Sequence, residues 1–369
     1  MKIRCSQAEL ETGVNIVMKA IPSKTTMTIL ECILITAYNG TITLTSNDME
    51  LGIDTIIDGD IDEEGSVALS AKLLSDIVRK LPKNTVLIET DANYMTKISC
   101  DKTKFNLVGR SGEEFPYPEE VEKDDFITIS QFTLKEVIKQ TIFSISDNDN
   151  NKIMTGELFD IKGNTLRVIS LDGHRISIRN IELRQDYPDK KVIIPGKTLN
   201  EIEKILSGEI EKTVNIYFTN SNAVFEFDST IVTTRLIEGE YFDVDQMMSD
   251  DYETKVIVNK KELTSSIERA ILLVKDNDKK PVIFSIAGDV LEIKINSTIG
   301  SMNEPVNVSK EGFDLMIGFN PKFVIDALRA IDDEEINLYF LNSKAPCFIK
   351  DDSKKYTYLI LPVNFNNVG

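Results

Sequence analysis

The only histidine of the 369-residue chain is His174, so acid–base chemistry is first sought there. Asp172 lies two residues before it, within the segment SLDGHR at 170–175. A hydrolase whose histidine base is oriented by a carboxylate is therefore one hypothesis. However, the fold usually brings triad residues together from distant positions, and no serine lies in a GxSxG elbow. The pattern favours a turn histidine that hydrogen-bonds its neighbours.

Other motifs of catalysis and of cofactor binding do not occur in the sequence. Neither GxxxxGK[ST] nor a GxGxxG after a predicted strand is found, so no nucleotide cofactor is indicated. The acidic runs at 147–151 and 332–335 do not match the spacing of an EF-hand. The four cysteines are far apart and form no CxxC pair: Cys5, Cys32, Cys100 and Cys347. We therefore expect reduced thiols, no metal, no cofactor and no catalytic residues.

The composition predicts a folded protein of the cytoplasm. Hydrophobic residues make up 41% and charged residues 28%, and no apolar run approaches the roughly 20 residues of a membrane helix. The first residues, MKIRCS, turn polar at once, which is not typical of a signal peptide. The formal net charge of −18 argues against non-specific affinity for DNA, which depends on lysine and arginine.

A strand followed by an amphipathic helix recurs along the chain. Apolar spacings of three and four residues predict six helices, at 6–19, 70–83, 131–140, 195–206, 260–270 and 319–331. The strands that start at Val67, Val192 and Leu315 lie 125 and 123 residues apart. This spacing indicates three similar domains, each with its own core.

The fold class predicted from this repeat is α+β. Segments between the helices alternate apolar and polar residues and are separated by turn signals, so each domain should pack two helices on antiparallel sheets. We place the domains at 1–123, 124–250 and 251–369. Acidic, turn-rich linkers are expected at 116–125 and 249–253.

Several short segments resemble a known family. They are DGHRI at 172–176, VIIPGK at 192–197, SAK at 70–72, EFP at 114–116, IGFN at 317–320 and YLILPV at 358–363. Together they resemble the bacterial DNA sliding clamp, the beta subunit of DNA polymerase III, in order along the whole chain. The resemblance implies three clamp domains per chain and a head-to-tail homodimer that forms a six-domain ring around duplex DNA. It also implies a processivity factor without a reaction of its own.

The resemblance further implies a pocket for short peptides of the polymerase III alpha subunit, the clamp loader and other proteins that carry a clamp-binding motif. Its expected wall is Met154, Leu171, Gly173, His174, Arg175, Ile176, Phe242, Gln246, Met247, Asn320, Phe323, Leu359, Leu361, Pro362 and Val363. Apolar and thioether surface of this kind suits leucine or phenylalanine anchors. Phe242 and Gln246 depart from the family pattern, in which proline and arginine are usual, so an altered peptide preference is expected.

By the same resemblance, Lys24, Lys72 and Lys197 should face DNA. The expected dimer interface comprises Lys102, Lys104, Phe105, Leu107, Ile271, Leu272 and Glu304. A closed ring holds DNA topologically and tolerates an acidic chain. The six predicted helices sum to +5 and the remaining residues to −23, as expected if the helices line the hole. An acidic scaffold with the clamp fold that does not load on DNA is a further alternative, beside the hydrolase.

Overall fold

The computed structural model describes residues 1–116, 123, 126–148, 150–274 and 280–365. Within these residues it contains six α-helices: α1 Gln7–Val17, α2 Ala71–Val78, α3 Gln131–Thr141, α4 Gly196–Ile205, α5 Lys260–Ile271 and α6 Pro321–Ala330. All six predicted helices are thus present. The second ends earlier than predicted, because the chain turns after Val78 and Pro82 disfavours helical backbone at the residue before it.

Helix starts follow from residues that cap the first turn. Ser6 Oγ accepts the backbone N–H of Glu9 at 3.1 Å, and Asn259 Oδ1 accepts that of Glu262 at 3.1 Å. Each cap is the last residue of a strand, so the repeated strand–helix order seen in the sequence is formed locally.

The described strands are numbered in chain order. The first twelve are β1 Lys2–Ser6, β2 Cys32–Tyr38, β3 Thr41–Asn47, β4 Leu51–Ile57, β5 Gly59–Glu63, β6 Gly65–Ser70, β7 Thr85–Thr90, β8 Met95–Cys100, β9 Thr103–Val108, β10 Phe126–Ser130, β11 Gly156–Leu171 and β12 Arg175–Pro195. The others are β13 Thr213–Phe218, β14 Asn222–Phe227, β15 Thr230–Arg235, β16 Thr254–Asn259, β17 Val282–Ala287, β18 Val290–Ser297, β19 Gly300–Gly312, β20 Leu315–Phe319, β21 Glu335–Phe340, β22 Cys347–Lys350 and β23 Tyr356–Ile360.

One compact unit comprises Met1–Lys135 and Asn200–Leu236. It contains a five-stranded sheet in the order β5-β1-β7-β8-β9 and an eight-stranded sheet in the order β10-β13-β14-β15-β4-β3-β2-β6. The larger sheet is continuous because β15 pairs antiparallel with β4, and the hydroxyls of Thr55 and Thr230 lie 2.9 Å apart across that pair. Helices α1 and α2 contact each other in this unit.

The other compact unit comprises Glu136–Leu199 and Ile237–Gly369. Its ten-stranded sheet has the order β11-β12-β23-β22-β21-β16-β19-β18-β17-β20. Helices α5 and α6 pack on a core that includes Leu263, Ile267, Phe284 and Val324, all almost fully buried. The pairing of β12 with β23 joins Arg175 to Ile360, and it supports the site described below.

The predicted domain boundaries at 123/124 and 250/251 stay a prediction. Residues 117–122, 124 and 125 of the first expected linker lie outside the described residues. Among the residues that the structure describes, no helix is long and apolar enough to cross a membrane.

Candidate functional site

A tight turn between β11 and β12 forms one edge of the site. Asp172 Oδ1 accepts the backbone N–H groups of His174 at 2.9 Å and of Arg175 at 3.1 Å. Gly173 has a φ of +86°, which favours glycine at this position. The aspartate therefore fixes the turn, and Gly173 and His174 are exposed at its tip.

Arg175 connects this turn to two other segments. Its side chain is nearly buried, and it donates to Asp172 Oδ2 at 3.0 Å, to Asp326 Oδ2 of α6 at 2.8 Å, and to the carbonyl of Phe143. Its guanidinium also lies 4.5 Å from the ring centroid of Phe323. A buried cation with this many partners fixes the position of each of them.

Helix α6 presents its amino end to the turn. Asn320 caps the helix by accepting the backbone N–H of Lys322 at 3.0 Å, and Pro321 occupies the first helical position. One turn along, the half-buried ring of Phe323 lies 6.0 Å from the imidazole of His174, centroid to centroid.

The segment after β23 closes the site from a third side. The backbone N–H of Leu361 donates to His174 O at 2.9 Å, and that of Val363 donates to Gly318 O at 2.8 Å. Pro362, between them, is half-buried. The end of β23 is thereby attached both to the turn and to β20.

The floor of the site is an apolar cluster on one face of the sheet. Leu171, Ile176 and Leu359 are buried together, and the half-buried side chains of Met154 and Phe242 pack against them. Apolar surface remains open above this floor, because Met247 is 50% exposed and Leu361 is 38% exposed. A half-open apolar depression with backbone and amide groups at its edge suits an extended peptide.

The segment after Phe242 supplies a polar rim. Gln246 is exposed and donates to Asp243 Oδ2 at 2.8 Å, within the short helical turn Val244–Met247. With glutamine at this position, the rim offers a neutral amide. All fifteen predicted pocket residues lie in one compact unit, while their role in binding stays a prediction.

The three lysines predicted to face DNA are exposed side chains: Lys24, Lys72 and Lys197. Next to Lys197, Gly196 is buried, and a Cβ there would lie 2.3 Å from Ile145 Cδ1 and 2.9 Å from Thr155 O. A larger residue could not occupy this position without displacing backbone.

The predicted interface residues lie on exposed edges. Strand β9 is the last strand of the five-stranded sheet and carries exposed Lys104, with Phe105 and Leu107 half-buried; Lys102 precedes it and is also exposed. In the other unit, Ile271 is half-buried and Leu272 is 76% exposed.

Glu304 is engaged within its own chain. Arg269 Nε donates to its Oε2 at 2.8 Å, and this guanidinium lowers the pKa of the Glu304 carboxyl below its usual range. Glu304, which is predicted for the dimer interface, is thus already paired within its own chain.

The hydrolase hypothesis gains no support from the geometry. In the described part of the chain, the carboxylate of Asp172 bonds backbone N–H groups and Arg175, whereas the His174 ring faces Phe323. All four cysteines are buried, and the described residues contain no group of three or more histidine, cysteine, aspartate or glutamate side chains that could hold a metal ion.

Sequence reasoning did not identify two partners that position Arg175. Asp326 and the carbonyl of Phe143 are 151 and 32 residues away from it in the chain. A lone aspartate on a helix and a backbone carbonyl give no signal in composition or periodicity, so only the fold shows their part in the site.

Three family models match the chain in succession. They describe the N-terminal, central and C-terminal domains of the DNA polymerase III beta subunit and match residues 1–119, 128–243 and 245–364. The beta sliding clamp of Staphylococcus aureus is 35% identical over 365 residues, which cover 95% of this chain and 96% of that protein. That of Staphylococcus epidermidis is 34% identical over 360 residues, 95% of each.

Solved structures agree with these matches. A putative DNA polymerase III beta subunit from Eubacterium rectale superimposes with a TM-score of 0.96 at 63% identity, covering 99% of this chain and 100% of that one. The DNA polymerase sliding clamp of Bacillus subtilis gives 0.95 at 32% identity with the same coverage.

Fold and matches together define a three-domain processivity clamp in which helices pack on antiparallel sheets. The chain belongs to the DNA polymerase III beta subunit family, the bacterial sliding clamps.

Proposed function

We propose that two copies of this chain close head to tail into a ring around duplex DNA, and that partner proteins bind the ring through short peptides in the depression around Arg175. The observation that carries the proposal is the convergence of the 172–176 turn, helix α6 and the end of β23 on one half-open apolar site. The ring itself catalyses no reaction. Its partners are the polymerase III alpha subunit, the clamp loader and other proteins with a clamp-binding motif.

The chemistry of the site selects the peptide. Met247 and Leu361 offer deformable and branched apolar surface to leucine or phenylalanine anchors. The exposed imidazole of His174 and the amide of Gln246 can bond the peptide backbone at the rim. Because this rim amide is neutral, a family-type peptide should bind with little dependence on salt concentration.

A labelled pentapeptide with leucine and phenylalanine anchors tests the pocket. Met247→Ala removes half-exposed apolar surface, and we expect affinity measured by fluorescence anisotropy to fall on the order of tenfold. Met95→Ala is the matched control, since Met95 is 43% exposed in the other compact unit. Equal affinities of both variants and the wild type would show that the peptide binds elsewhere.

Ring closure is proposed from the exposed edges of the two units. The half-buried apolar side chains on β9 and the exposed Leu272 are surfaces that a second copy can cover. Because Glu304 is paired with Arg269, we expect apolar contact rather than charge attraction to dominate, and dimerisation should persist at high salt.

Retention on DNA tests the topological mechanism. After loading by a clamp loader, we expect the protein to stay on nicked circular DNA and to leave the same DNA within minutes of linearisation. Exposed Lys24, Lys72 and Lys197 provide weak phosphate contacts that permit sliding. Failure to remain on circles would favour the acidic scaffold that does not load.

A further inference from the structure

A second cavity lies beside the peptide pocket in the same compact unit. It has a volume of about 390 Å³, and its lining includes Ile178, Met248, Phe348 and Thr357. Ile176, Leu359 and Phe348 lie side by side on β12, β23 and β22, and Ile178, Thr357 and Lys350 form the next row. Residues two apart on a strand share a face, about 7 Å apart, so the cavity continues the floor of the pocket.

The connector, residues 236–253 between β15 and β16, shows the same continuity. Met247 belongs to the predicted pocket wall, and the next residue, Met248, lines the second cavity and packs on the shared apolar cluster. A peptide anchored in the pocket therefore reaches this cavity with two or three further extended residues, at about 3.3 Å each.

Three cations border the cavity and two carboxylates oppose them. Arg167 lies 2.7 Å from Asp245, whereas Lys350 and Lys354 lie 2.7 and 3.1 Å from the two oxygens of Asp250. Among the lining side chains, the cations outnumber the carboxylates by three to two, in a chain of net charge −18.

Lys350 is held in place by its surroundings, whereas the carboxylate of Asp250 is solvent-exposed and is bound by the two lysines. The Lys350 side chain is 13% exposed, and its Nζ lies 5.0 Å from the ring centroid of Tyr339 and 5.8 Å from that of Phe348. Asp250 is 72% exposed on the connector. Because Asp250 itself lies at the surface, a ligand carboxylate can compete with it for a lysine that is already ordered.

We propose that this cavity, named here the flank groove, binds acidic residues of the same partner polypeptide that anchors in the pocket, two or three positions outside its apolar anchors. The inference rests on the proposed peptide site and adds a determinant of partner choice. The cations of the flank groove select the acidic residues that flank the anchors, whereas the apolar pocket binds the anchors themselves.

The test compares pentapeptides that carry the extension Gly-Glu-Glu or Gly-Gln-Gln, at the amino end in one pair and at the carboxyl end in the other. At one of the two ends, the one that reaches the groove, we expect the Glu peptide to bind about fivefold to tenfold more tightly than the Gln peptide in low salt. This gain should disappear in 1 M NaCl, where screening is strong.

Two lysine variants locate the effect. Lys350→Met keeps the apolar stem and should reduce the gain to less than about twofold. Lys310→Met is the matched control, because Lys310 is 11% exposed and pairs with Asp314 at 3.0 Å on β19; it should keep the full gain.

The Asp250→Asn variant provides an independent test if the Lys350→Met variant folds poorly. Removing the competing carboxylate should increase the gain roughly twofold. No gain at either end, or a full gain in Lys350→Met, would overturn the proposal. If the unextended pentapeptide binds normally in those cases, only the flank-groove proposal is wrong. If the unextended pentapeptide does not bind at all, the peptide-site proposal is wrong, and the flank-groove proposal that rests on it is wrong as well.

Discussion

A buried carboxyl on β11 gives the most quantitative prediction. Glu157 is fully buried, and neither of its oxygens accepts a hydrogen bond from the described residues. Burial raises the pKa of Glu157 from 4.5 to about 8, and the nearby hydroxyl of Thr141 lowers it only in part. Thr141 itself donates to Val137 O at 2.7 Å.

The sign of the effect follows from this raised pKa. Below pH 4.5 the carboxyl is protonated in both folded and unfolded chains, so folding stability is unaffected by it. Between pH 4.5 and about 8 only the unfolded chain ionises, and stability falls by about 1.4 kcal/mol per pH unit. The loss reaches roughly 3 kcal/mol at pH 7 and about 4 kcal/mol at pH 8, and it levels off just below about 5 kcal/mol at higher pH.

Glu157→Gln removes this titration. From pH 5 to pH 8 the variant should gain about 3.5 kcal/mol relative to the wild type, which corresponds to a shift in melting temperature on the order of 5 °C for a chain of this length. Thermal unfolding at several pH values measures it, with Glu182→Gln, exposed on the neighbouring β12, as control. A difference between Glu157→Gln and wild type that does not change with pH would refute the reasoning.

Three further changes test the fold and the assembly. Arg175→Met leaves Asp172 and Asp326 without their buried partner, and it should lower stability by about 3 kcal/mol and weaken peptide binding, as measured by urea unfolding and anisotropy. Leu272→Asp places a charge on an exposed apolar residue of the proposed interface and should convert the dimer to monomers in light scattering, whereas Ile210→Asp, 61% exposed, should not. Leu10→Ala creates a cavity in the core under α1 and should cost about 3 kcal/mol, read from urea unfolding; a cost below about 1 kcal/mol would contradict its complete burial.

Local features of the fold could be predicted because they depend on nearby residues. The six helices follow strands, and α1, α5 and α6 begin at polar caps, Ser6, Asn259 and Asn320, whose signals lie within four residues. Helix ends were less accurate, since the turn after Val78 depends on the following Lys80 to Pro82.

Sheet continuity could not be predicted from the sequence. β15 pairs with β4, and β12 pairs with β23, across chain separations of about 175 residues or more. Periodicity shows that each segment is a strand, but it does not show which strand lies beside it. The predicted site residues came from resemblance, and the part that Arg175 takes in joining three segments appeared only in the structure.

The hydrogen bond from Leu361 N–H to His174 O has a consequence for synthesis of the protein. Protein chains emerge from the ribosome amino end first, so the turn that carries His174 exists long before the segment that completes the site. A nascent chain has the floor side chain Leu171 but lacks Leu359 and Leu361. Under the proposed function, partners that bind this site should therefore bind the completed chain and not a chain still on the ribosome.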